Sequence, residues 1–169
     1  MMVSRLVYVN QHQSKGTGDL VATKPIRILL GMALANMSFN KQLVCDLALE
    51  SSAARIADAL YRVFALGTDE AAYCAVATVF NLAGIPECVR LVDEETKVLR
   101  LLVDVAERES CTVQCVQLCV AALCRFSLHS VFFEHMCAAS SGVLTMLVRV
   151  LGAPQLHMSV KRDAVQCCY

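Results

Sequence analysis

The sequence predicts an all-α chain, built as an array of similar helical units rather than as one mixed domain. Three observations carry that prediction. First, Ala72, Ala75, Val76, Val79, Leu82 and Ala83 fall at i, i+3, i+4, i+7, i+10 and i+11, which is one continuous face of a helix. Second, the face recurs. Moved back 45 residues it lands on Arg27, Leu30, Gly31, Leu34, Met37 and Ser38. Moved forward 44 residues it lands on Val116, Cys119, Val120, Leu123, Phe126 and Ser127, and a fourth copy begins with Ala164, Val165 and Cys168. Third, no run alternates apolar and polar residues between hairpin signals, so no strand is expected. A helical period of about 40 to 47 residues marks the two- and three-helix solenoids. Leu34, Val79 and Leu123 share one position of that period and are each expected to be almost fully buried.

Taken in order, residues 2–9 are apolar and read as the tail of a helix. Residues 10–23 are polar and contain Gly16 and Gly18, the composition of a loop. Pro25 then opens a helix to about residue 38, because proline is tolerated in a first turn. Residues 40–49 form the next helix. Residues 51–65 follow, with Ser51 or Ser52 as N-cap. The break Gly67-Thr68-Asp69-Glu70 places a cap at Thr68 or Asp69 before the helix of the opening pattern. That helix closes at Gly84, where a left-handed cap is expected, and Pro86 opens a short one to residue 92. An acidic turn, Asp93-Glu94-Glu95, leads to helices over 96–108, 110–127, 130–138 and 141–151. Gly152-Ala153-Pro154 ends the last of these, and Ser159 is the expected cap of a final helix. Residues 1–24 are thus read as a partial helix and a flexible loop. Residues 25–169 form the repeat domain, divided at about 25–38, 39–83, 84–127 and 128–169.

The motifs ALANMS (33–38), TVFNLAG (78–84) and AALCRFS (121–127) resemble the ending of the third helix of armadillo repeats. SGVLTMLVRVL (141–151) resembles the second helix of that family, and KVLRLLVDV (97–105) is a second copy with Thr96 in place of the opening glycine. HEAT repeats share the period and the packing logic. The resemblance implies a right-handed α-solenoid of about three repeats. Neither end shows a polar capping repeat, so the expectation is part of a longer array, or ends buried against a neighbour.

Composition narrows the function. Apolar residues make up 57% of the 169, a proportion that suits helices covered on more than one side. Net charge is zero with both signs interspersed, which leaves no electrostatic footprint for nucleic acid. No uncharged run reaches the roughly 18 to 20 residues of a membrane span, and the N-terminus lacks the pattern of a secretory signal. The ten cysteines sit mostly where alanine or valine would serve, so reduced thiols and an intracellular, cytoplasmic protein are expected.

Cys111, Cys115 and Cys119 climb one helix at i, i+4, i+8, too far apart for one zinc ion to take all three. Burial of small thiols is the expected reading, extended to the pair Cys167-Cys168. No histidine stands in the context of a thiol nucleophile, and no phosphate-binding glycine loop is present, so neither an enzyme, a cofactor nor a metal is expected. Phe126, Phe132 and Phe133 are expected in the core.

Asn36, Asn81 and Arg125 share one repeat position inside apolar surroundings. The armadillo resemblance implies that this position lines a concave groove and binds the backbone of an extended peptide. The competing reading is that it hydrogen-bonds the neighbouring repeat. Met32, Ala77 and Ala121 stand four residues earlier, where the nuclear-import adaptors of this fold carry tryptophan, so basic nuclear-localisation peptides are not the expected ligand. The expected function is non-catalytic binding of a protein or peptide segment in that groove, with Asn36, Asn81 and Arg125 reachable by solvent and Asn81→Ala nearly neutral for folding. The alternatives are a scaffold that contacts neighbours or itself through uncapped ends and, more remotely, a thiol or zinc enzyme.

Overall fold

The computed structural model describes residues 17–50, 53–86 and 97–169. All regular structure among them is helical: α1 (Thr17–Met37), α2 (Lys41–Glu50), α3 (Ala53–Phe64), α4 (Asp69–Ala83), α5 (Lys97–Ala106), α6 (Val113–Phe126), α7 (Ser130–Cys137), a 3₁₀ turn (Ala139–Ser141), α8 (Val143–Gly152) and α9 (Met158–Gln166). No helix there is long and apolar enough to cross a membrane. The expected helix tail at 2–9, the caps Ser51 or Ser52, and the short helix with its acidic turn lie outside the described residues, apart from Pro86, which is helical.

Two series of helices run through the chain. α1, α4, α6 and α9 pack each on the next, and α3, α5 and α8 form a parallel series, with the pairs α3–α4, α5–α6 and α8–α9 in contact. The caps repeat with the period. Thr68 and Thr112 are extended and accept through Oγ1 from the amides of Ala71 and Cys115, both at 3.2 Å. At the third cap Nδ1 of His157 accepts from the amide of Ser159 at 3.2 Å. Ser159, the expected cap, is therefore the donor, because an imidazole nitrogen two residues earlier reaches the free amide first.

One core cluster runs from Leu60 through Leu102, Leu123 and Met146 to Cys167. The whole expected face of α4 is buried, and so are Ala71, Cys74 and Thr78, because α4 is covered by α1, α3 and α6 at once. Phe126 and Phe132 stack with centroids 4.4 Å apart, while Phe133 is half-buried. Val79 and Leu123 are buried as expected. Leu34 is only half-buried, resting on a smaller cluster of Val63, Ala71 and Cys74, since the main contacts of α1 are with α3 and α4.

Other expectations are corrected. α1 begins at Thr17 and carries Pro25 inside it. A proline forbids only its own backbone bond and crowds the preceding turn, so it does not fix a helix start. The final copy of the pattern runs 44 residues after α6, so Val160, Ala164 and Cys167 are buried whereas Val165 and Cys168 are exposed. The Cys167-Cys168 pair is therefore half core and half surface. Gly84 has φ −82°, an ordinary right-handed value, and is not a left-handed cap. The left-handed glycines among the described residues are Gly67, with φ +75°, between α3 and α4, and Gly142, with φ +73°, at the start of α8.

Candidate partner-binding groove

The exposed side of the α4–α6–α9 series carries two open clefts. One, of about 430 Å³, is bordered by Tyr73, Gln114, Gln117, Leu118 and Ser159. The second, of about 540 Å³, is bordered by Phe80, Arg125, Ser127, Leu128 and Gln166. Ala121 and Asp163 line both, so the two clefts meet at that pair. Three helices from three successive copies of the pattern build this surface. It is long and open, with amide side chains along one stretch and apolar side chains along the next. Such a surface suits an extended chain, whose backbone needs donors and acceptors at intervals.

The expected site residues divide. Ala121 and Arg125 line the clefts, Ala77 is half-buried on α4, and Met32 and Asn36 are exposed on α1. Asn81 is the correction: it is 9% exposed, and its Nδ2 donates to Ser38 Oγ at 2.8 Å and reaches Ala35 O at 3.4 Å. Arg125 behaves alike one copy later. Its Nη1 donates to Phe80 O at 2.7 Å, and the guanidinium lies 3.5 Å from the centroid of the Phe80 ring.

Helix ends explain both contacts. The last carbonyls of a helix have no partner within it. The amide of Phe39 turns to Asn36 O, and that of Gly84 to Asn81 O, which leaves the carbonyls of Ala35 and Phe80 without their i+4 donors. Asn81 and Arg125 supply the donors across the repeat boundary. A Cβ on Gly84 would sit 2.8 Å from Arg125 Nη1, so the glycine is needed for the approach of the arginine rather than for its own backbone angle. Burial lowers the pKa of Arg125 from its usual value, yet a guanidinium stays charged.

Further contacts cross the same boundaries at separations of 39 to 43 residues. They include Tyr61 Oη to Asp104 at 3.2 Å, Lys97 to Asp58 at 3.4 Å, Arg149 to Glu107 at 2.7 Å, and Arg108 to Gly67 O. Burial first, and Asp104 second, raise the pKa of the Tyr61 phenol.

The nine cysteines among the described residues are free thiols, with Cys74, Cys115, Cys119 and Cys167 buried. The Cys111 thiol donates to Thr112 O at 3.6 Å, and its interaction with the neighbouring Cys115 thiol draws the pKa of Cys115 down to about 7 and raises that of Cys111. Burial pushes Cys119 up. Among the described residues no three His, Cys, Asp or Glu side chains converge as a metal site.

The sequence reading missed Tyr73, Gln114, Gln117, Asp163 and Gln166. A signal existed for some of them: Gln114, Gln117, Ala121 and Arg125 form a stripe at i, i+3, i+7, i+11 opposite the apolar face of α6. A scan against family models finds no match to this chain, and searches of curated proteins and of solved structures find none either.

Proposed function

We propose that the chain is an armadillo-like solenoid of about three repeats, and that it binds an extended segment of a partner protein along the exposed side of its third-type helices. The single observation that supports this reading is the meeting of the two clefts at Ala121 and Asp163, across α4, α6 and α9. The groove residues of this proposal are Ala121, Arg125 and Ala77, extended by Met32 and Asn36 on α1, with Asn81 reassigned to holding the repeats together. The module is non-catalytic, needs no cofactor or metal, and works inside the cell with reduced thiols. Asp163 and Arg125 border one cleft, so the preferred segment carries charges of both signs rather than a basic run.

Selection of extended peptides from a random display library tests it, with Ala121→Trp as the counter-selected protein. An indole at position 121 fills the junction of both clefts. Peptides should be recovered on the parent chain and lose at least tenfold in affinity on the variant. Recovery of no peptide, or of peptides that bind both proteins equally, would overturn the groove reading.

A further inference from the structure

Two thiols meet at the entrance to α6. Thr112, its N-cap, is extended at φ −73° and ψ 152°, so Cys111 stands just outside the helix and Cys115 in its first turn. The Cys111 sulfur donates to Thr112 O, which also accepts from the amide of Val116. The amide of Cys115 donates to Thr112 Oγ1, so both cysteines are held around one residue. Side chains on a helix lean towards its N-terminus, which turns the Cys115 sulfur back at Cys111. Each thiol is accordingly the other's side-chain partner. Cys115 is 2% exposed and Cys111 half-buried, so Cys111 is the outer of the two.

A disulfide needs Cβ atoms about 3.5 to 4.5 Å apart. Residues four apart inside a helix hold theirs at about 5 to 6 Å, which disfavours Cys115 with Cys119, both within α6. Cys111 escapes that spacing, because its own backbone lies outside the helix and can close on the first turn. Reactivity selects the same pair, since the thiolate is the nucleophile. The Cys115 thiol, with its pKa at about 7, is partly ionised at neutral pH. Its interaction with Cys111 favours the thiolate most, then Thr112 and the Arg108 charge, against burial and Asp69. Arg108 Nη1 is buried with no hydrogen-bond partner among the described residues, so that donor is not engaged elsewhere. Cys124 and Cys167 also interact, across α6 and α9, but burial raises both and neither supplies a thiolate.

We propose that Cys111 and Cys115 are a reversible redox pair, closed to a disulfide by hydrogen peroxide. The Cys115 thiolate attacks one peroxide oxygen: the S–O bond forms, the O–O bond breaks, and the departing hydroxide takes a proton from solvent. Cys115 is then a sulfenic acid. The Cys111 sulfur attacks the Cys115 sulfur next: the S–S bond forms, the S–O bond breaks, and the leaving hydroxide carries off the Cys111 proton as water. The two thiols have given up two electrons, and the peroxide is reduced to two waters. The oxidant is a small one because Cys115 is reached past Cys111. A dithiol reductant reverses the bond by exchange. The bridge clips the segment before α6 to its first turn, and it stands or falls separately from the groove.

Peptide mapping of the full chain tests it. The folded chain is treated with hydrogen peroxide, its remaining thiols are alkylated in denaturant, and it is cut after lysine and arginine. Residues 109–125 then emerge as one peptide that holds Cys111, Cys115, Cys119 and Cys124. That peptide should be lighter by two hydrogens and alkylated at Cys119 and Cys124 alone. Dithiothreitol before alkylation should restore all four sites. In Cys111→Ser, Cys115 should stop at the sulfenic acid and take up dimedone, whereas in Cys115→Ser no bridge should form. Melting curves verify the fold of both variants, and the result on the parent chain stands without them. Four alkylated cysteines in the treated parent overturn the proposal. So does a first bridge at Cys124–Cys167 or Cys74–Cys115, or oxidation of Cys115 that leaves Cys111 free.

Discussion

Asn81 and Arg125 act on one feature, the last turn of the helix before them in the α1–α4–α6 series. Asn81 shares its task with Ser38, whose Oγ also donates to Ala35 O at 2.6 Å. Arg125 is the donor to Phe80 O and also stacks on the Phe80 ring. Removing a donor from a partly buried carbonyl costs about 1 to 3 kcal/mol. Asn81→Ala and Arg125→Ala should therefore both lower the melting temperature, Arg125→Ala by more because it has no second donor and loses the ring contact as well. Arg125→Lys should recover only part of the loss, since an ammonium lacks the planar face. Thermal melts of the three variants decide this, and a neutral Asn81→Ala would restore the view of that asparagine as a free groove residue. At the core, Val79→Asp buries an unpaired carboxylate at a site 1% exposed. That costs several kcal/mol against a total stability of about 5 to 15, so the variant should unfold or melt far below the parent.

Each helix is specified by its cap and by its apolar stripe, and the strength of those signals decides how well the elements can be read in advance. Thr68 is a polar residue before a strongly periodic run, and α4 follows as expected; α6 begins at Val113 after the cap Thr112, three residues later than the expected start at 110. Thr112→Ala should cost about 0.5 to 2 kcal/mol, measurable as a shift of the denaturation midpoint. The start of α1 was illegible because Pro25 and the glycines before it carry stronger local signals than the tertiary contacts that hold the helix. The role of Asn81 was illegible for a different reason. Sequence shows that positions 36, 81 and 125 are polar, but which side of the helix meets the neighbouring repeat depends on how far one repeat turns on the last. Asp163 and Gln166 were missed because the expected groove was not carried past Arg125 into the last copy of the pattern.

The contacts between layers also set a pH dependence. In the folded chain the Tyr61 phenol, half-buried beside Asp104, keeps its proton to higher pH than the ordinary 10.0. The unfolded chain releases that proton first, so this contribution to stability is full below pH 10 and falls as the pH climbs above it. Melting temperature recorded between pH 8 and pH 11 should drop more steeply for the parent than for Tyr61→Phe.

Across the whole molecule, helices of three successive copies are aligned by donors and side-chain contacts 39 to 47 residues apart, and the open side of that alignment holds the two joined clefts. Rigid packing beneath a surface lets it receive a partner without paying to order itself first. The most direct measurement places a photo-activated crosslinking residue at Gln117, which lines the first cleft, and separately at Glu134, exposed on α7 away from both. After irradiation in an extract of the source cell, the account predicts a discrete adduct from position 117 that disappears when Ala121→Trp is added, and none from position 134. Adducts of equal yield from both positions, or an adduct at 117 that Ala121→Trp leaves unchanged, would contradict it.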